Sequence, residues 1–95
     1  MVIWSNTSKQ DLKQIYEYIK RDSVYYAKKV INDIIDKAES IEELPNKGKV
    51  VDEFKDENLR EILVYSYRLI YRRVSSNIRI IAIVHCKRNL TDELL

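Results

Sequence analysis

The chain has 95 residues, 45% of them apolar and 34% charged, with a formal net charge of +2. That length holds one domain, residues 1–95, around one core, and the composition is that of a globular rather than a disordered chain. No apolar run reaches the roughly 18 residues of a membrane helix, the start MVIWSNTSKQD lacks a secretory pattern, and the single Cys86 cannot close an internal disulfide; together these point to the cytoplasm and to no membrane partner.

Val2-Ile3-Trp4 reads as a short edge strand. Ser5-Asn6-Thr7 supplies helix caps, and Thr7 with Gln10 has capping-box spacing. Leu12, Ile15, Tyr16 and Ile19 then form one apolar helical face that ends near Arg21-Asp22. Ser23 caps a second helix, on which Ala27, Ile31, Ile34, Ala38 and Ile41 alternate steps of four and three. So short a connection predicts an antiparallel hairpin. The helical pattern stops at Pro45, next to the only glycine, Gly48. Residues 46–58 are polar and irregular apart from Val50, Val51 and Phe54.

Three strands follow, at 59–65, 67–74 and 78–86, the last two joined by a turn at Ser75-Ser76-Asn77. The order β-α-α-β-β-β predicts an α+β domain: a small, mainly antiparallel sheet with the helical hairpin packed on one face. Strict alternation puts Ile78, Ile80, Ala82 and Val84 on one side of the last strand and Ile81 and Ile83 on the other. Both sides are apolar, and two helices cover only one. The 46–58 segment is too polar to cover the second well, which favours a partner there. Cys86, at the end of this strand, is expected as a small core residue.

Charge is distributed unevenly. Residues 62–91 hold six basic side chains and no acidic one, while the other 65 residues hold 11 basic and 15 acidic, so +6 is set against −4. Such a field favours a polyanionic or acidic partner. Alternation places Tyr67, Leu69 and Tyr71 beneath the helices and Arg68, Ile70 and Arg72 opposite. An arginine in mid-strand is either salt-bridged to Glu61 or a neighbouring carboxylate, or aimed at a phosphate or an acidic partner. His85, the only histidine, stands at a strand end and has the one side-chain pKa suited to proton transfer near neutrality. It has no second ligand at metal spacing, and phosphate-loop and dinucleotide patterns are absent, so no metal or cofactor is expected. Lys47 and Lys49 flank Gly48 on a basic loop within reach of a phosphate backbone.

Several segments in order carry a resemblance: Asp11-Leu12 with Ile15 and Tyr18-Ile19; Leu44-Pro45 with Gly48; Leu59-Arg60-Glu61; Tyr67-Arg68-Leu69-Ile70-Tyr71; and Ile83-Val84-His85 with Arg88. Over nearly its whole length the chain resembles the RelE/ParE superfamily of toxins from type II toxin–antitoxin systems. The resemblance implies a growth-inhibiting toxin neutralised by a cognate antitoxin protein. It leaves two targets: DNA gyrase for ParE-like members, or the ribosome and its mRNA for metal-independent RelE-like endoribonucleases. In the second case Arg68 matches the phosphate-contacting arginine, Arg88 matches a second arginine after the last strand, and His85 stands in as proton carrier. The catalytic ring of RelE-like nucleases, six residues beyond that second arginine, is here Leu94. The helix with Asp11-Leu12, the Gly48-Lys49-Val50-Val51 segment and His85 with Arg88 are more similar to the ParE-like branch. The partner surface is expected to include Lys47, Lys49, Arg72, Arg79, Ile81, Ile83 and Lys87.

Overall fold

Two serine hydroxyls set where the helices begin. The computed structural model of the chain describes residues 1–88. It runs β1 (Val2–Trp4), α1 (Asn6–Lys20), α2 (Val24–Ser40), β2 (Lys49–Val50), β3 (Leu59–Val64), β4 (Tyr67–Val74) and β5 (Asn77–His85). The Ser5 hydroxyl accepts the Ser8 N–H at 3.0 Å, and that of Ser23 accepts the Tyr26 N–H at 3.1 Å. Each satisfies a donor that the first helical turn leaves open. The cap at Ser23 is as expected, but α1 starts before Thr7. Ser5 wins because its own N–H also donates to the Ile80 carbonyl at 3.0 Å, which ties the helix start to the sheet.

The sheet has five strands in the order β1-β5-β4-β3-β2. β1 pairs parallel with β5, and the remaining pairs are antiparallel. This is the expected α+β arrangement with one more strand. β2 pairs Lys49 with Glu61 and Val50 with Arg60, and two residues are too few to show a period. The hairpin covers one face, where Ile15, Val30, Ile34, Ala38 and Ile41 pack on Leu69, Tyr71, Ile78 and Ile80.

Two expectations are corrected on the other face. First, Tyr71 lies opposite Ile80 and Ile70 opposite Ala82, so Ile81 is an extra residue, a bulge. The bulge switches the faces: Ile78 and Ile80 lie under the helices, Ala82 and Val84 on the second face, and Ile83 under the helices again. Second, the 46–58 segment itself covers much of the second face. Val51 is fully buried and Phe54 packs with it against Leu59, Ile70, Ala82 and Val84. Its polarity is no obstacle, because its acids meet the arginines of that face. Cys86 falls in the turn after β5 and is exposed, not in the core.

Candidate functional site

The cations of the acid-free stretch separate into bound and unbound ones. Arg68 on β4 is bound. Its Nε donates to Glu61 Oε2 at 2.6 Å, Nη1 to Glu53 Oε2 at 2.9 Å and Nη2 to Glu53 Oε1 at 2.8 Å, with Nη2 also 2.5 Å from Glu61 Oε2. All three nitrogens are taken, and the side chain is 11% exposed beside a Glu61 that is 5% exposed. Glu53 first, and then Glu61, raise the guanidinium pKa further against its desolvation. Of the alternatives open for Arg68, the fold shows the salt bridge, with each of its three nitrogens turned to a carboxylate. Arg72 is paired with Asp56 at 3.0 Å. Lys49 lies 3.6 Å from both Asp52 and Glu61, and the Lys47 ammonium is 3.4 Å from the Ser40 hydroxyl.

Arg79, Lys87 and Arg88 are exposed and make no ion pair within 4 Å among the described residues. Arg79 sits on the second face, directly across from Arg72 in the register, beside the partly buried Ile81. Ile83, expected on a partner surface, is only 5% exposed and belongs to the helix-covered core, where it lines the groove at the end of β5. Position 94 lies outside the described residues.

His85 and Arg88 do come together. They line a groove of about 500 Å³ between the hairpin and the end of β5, together with Asp11, Tyr18, Tyr65 and Tyr67. The ring of His85 meets Tyr67 edge-on, with centroids 5.7 Å apart, and its Nδ1 accepts the Lys87 N–H at 3.2 Å. Tyr65 occupies the turn between β3 and β4 with φ 56°, a left-handed backbone that a bulky residue adopts only under constraint. The constraint is visible: its hydroxyl donates to Asp33 on α2, and its ring packs edge-on against Tyr26. That bond pushes the phenol up to about 12 and lowers the Asp33 carboxyl. Among the described residues no group of three or more His, Cys, Asp or Glu gathers as a metal site, and no helix is long and apolar enough to cross a membrane.

A family model described as the ParE toxin of the type II toxin–antitoxin system, parDE, matches residues 2–90. The chain belongs to the ParE toxin family. Solved structures agree on the fold. A chain of the chromosomal ParDE TA system from P. aeruginosa superposes with a TM-score of 0.73 at 20% identity, covering 88% of this chain and 92% of that one. A chain of the YoeB-YefM complex from Staphylococcus aureus gives 0.59 at 17% identity, covering 90% and 94%. A second YoeB-YefM structure, a heterotetrameric toxin-antitoxin complex from the same organism, gives 0.57 at 17%, again covering 90% and 94%. No curated protein matches the chain.

In this ParE-family toxin the groove was the least legible part of the sequence. Asp11, Tyr18, Tyr65 and Tyr67 were missed because they come from a helix, a turn and a strand far apart in the chain. The one available signal was the number of tyrosines, 7 of 95 residues. Acid titration gives a signed test of this ParE fold. Asp33 is held down first by the Tyr65 hydroxyl, and Asp56 first by the Asn58 N–H and then by Arg72. Both contribute stability above the ordinary aspartate value of 3.8 that is lost as pH falls through their lower folded values. Asp11 has the opposite sign. Burial raises its pKa, so the fold favours its protonated form, and stability falls as pH rises from 3.8 through the folded value. Urea midpoints followed between about pH 2 and pH 6 should therefore show a flatter acid limb for Asp33→Asn and Asp56→Asn, and a steeper one for Asp11→Asn.

Proposed function

We propose that this ParE-family toxin arrests growth in the cytoplasm by binding a protein target, DNA gyrase, and that a cognate antitoxin neutralises it. One observation carries the target assignment: Arg68, the residue that a RelE-like nuclease would place on the scissile phosphate, has every nitrogen engaged by Glu53 and Glu61. Metal-independent cleavage needs cations aimed at the phosphate where charge develops, and here the mid-strand cation is already neutralised. The family match to ParE supports the same branch. The antitoxin half draws support from the similar ParDE and YoeB-YefM toxin-antitoxin structures.

Lys87 and Arg88 at the end of β5, without an ion pair among the described residues and beside the tyrosine-lined groove, offer the target a cationic and aromatic contact. Rim charges of this kind steer association and complement acidic surfaces. Purified toxin is expected to inhibit gyrase supercoiling, and the Lys87→Ala/Arg88→Ala variant to need roughly tenfold more protein for the same inhibition. Transcripts after induction should remain whole by primer extension. The RelE-like reading has one observation in its favour, that His85 and Arg88 line the same groove. Codon-phased cuts in translated mRNA, with supercoiling untouched, would establish it and remove the gyrase assignment.

A further inference from the structure

β1 is only three residues long, and its pairing with β5 ends at Trp4 opposite Ile80. Beyond that point no strand among the described residues lies on the outer edge of β5, and groups from the start of α1 take its place. The Ser5 N–H donates to the Ile80 carbonyl at 3.0 Å, and the Ser5 hydroxyl donates to the Ile81 carbonyl at 2.8 Å. Further along α1, Asp11 Oδ2 accepts the Ile83 N–H at 2.9 Å. The inner edge is held separately, by β4 and by the Cys86 N–H donating to the Ser66 carbonyl at 2.8 Å. Among the described residues Asp11 is therefore the last tie on the outer edge before the strand ends.

We propose that Asp11 is the positioning residue of the basic strand end, fixing through the Ile83 amide the course on which His85, Lys87 and Arg88 leave the sheet. The bonds that follow depend on that course. The Lys87 N–H reaches His85 Nδ1 at 3.2 Å, and the Arg88 N–H reaches the His85 carbonyl at 2.9 Å. Asp11 and Arg88 line the same groove; burial raises the Asp11 carboxyl pKa, and the Ile83 N–H and then the field of Arg88 counter part of that rise. A half-buried carboxylate carries a desolvation cost. A directional bond to a strand amide, facing a cation, offsets part of it. For recognition this matters because a cationic end held in one geometry loses less freedom on binding than a loose one.

The proposal rests on the reading that this basic end meets the target, and its test separates the two. Asp11→Asn keeps an oxygen acceptor for the Ile83 amide, whereas Asp11→Ala does not. Amide exchange by NMR should quicken about tenfold or more at Ile83 and His85 in Asp11→Ala, stay near wild type at core amides such as Leu69, and remain near wild type throughout in Asp11→Asn. Inhibition of gyrase holoenzyme by the full chain should weaken about tenfold in Asp11→Ala and be rescued by Asp11→Asn. An Ile83 amide that exchanges at the wild-type rate in Asp11→Ala overturns the proposal. So does a uniform quickening that includes Leu69, which would mean general loosening, and so does equal loss of inhibition in both variants. If Lys87→Ala/Arg88→Ala leaves gyrase inhibition unchanged, the reading that this basic end meets the target fails, while the exchange measurement still decides whether Asp11 holds the strand end.

Discussion

Arg68→Ala is expected to lower the unfolding free energy by about 3–5 kcal/mol, a large share of the stability of a domain of this size. The cost is not the lost pair but the charge left behind. Glu61 is 5% exposed on β3, and its remaining cation, Lys49, is 3.6 Å away with an exposed side chain. Glu53 loses the bidentate tie through which Arg68 fastens residues 51–54 over Leu59, Ile70 and Ala82. Removing both buried charges together should be far milder, since well-packed apolar replacements of a buried pair are often neutral or stabilising. Arg68→Met/Glu61→Leu is therefore expected to regain most of the stability in urea unfolding followed by circular dichroism. Function separates the readings further. If Arg68 serves only the fold, growth inhibition returns with the folded double variant. Were Arg68 a phosphate contact, the double variant would be folded and harmless.

Arg68 also marks where the sequence was and was not legible. Its two open roles were visible from alternation alone, because an arginine flanked by Tyr67 and Leu69 on β4 must leave the helix-covered face. What alternation does not report is which carboxylates stand there. Glu61 was a candidate because it lies on the neighbouring strand, but Glu53 arrives from an irregular segment whose path no periodicity predicts. The same segment defeated the expectation of an open second face. Its polarity argued against burial, yet Glu53 and Asp56 are the counter-charges that let Val51 and Phe54 settle on the sheet.

The hairpin was easily read, since its apolar residues repeat at helical spacing and Ser23 caps it. The bulge was unreadable for a related reason. Ile80, Ile81, Ala82 and Ile83 are all apolar, so inserting one residue into the alternation leaves no mark in the sequence. Its effect on the site is direct, because the switched phase returns Ile83 and His85 to the hairpin side of the sheet, where Ile83 meets Asp11 and His85 meets Tyr67.

Gly48→Ala should rank beside Arg68→Ala, at about 3–5 kcal/mol in the same urea experiment. Gly48 has no unusual backbone angle, so the demand for glycine comes from close approach. A Cβ there would stand 2.6 Å from the Glu61 carbonyl oxygen and 2.8 Å from both Cε1 and the hydroxyl oxygen of Tyr71. None of these can yield cheaply. The carbonyl belongs to β3 where β2 pairs with it, and Tyr71 is fully buried among Ile34, Ile41 and Leu69. The clash also falls on a relay, in which the Gly48 N–H donates to the Tyr71 hydroxyl at 2.9 Å and that hydroxyl donates to the Pro45 carbonyl at 2.8 Å. Overpacking of a filled site costs about 1–3 kcal/mol, and each bond lost in a buried place adds about 0.5–1.5 kcal/mol. A double-mutant cycle with Tyr71→Phe tests this division. Tyr71→Phe alone leaves Gly48 N–H and the Pro45 carbonyl without their shared partner, at a cost of about 1–3 kcal/mol for an unmet buried group. In the double variant the relay cannot be broken twice and one contact of the new methyl is relieved, so the combined loss should be smaller than the sum of the singles. Strict additivity would show that the hydroxyl relay is not what Gly48 protects. A Gly48→Ala midpoint equal to wild type would show that β2 can slide away from Tyr71.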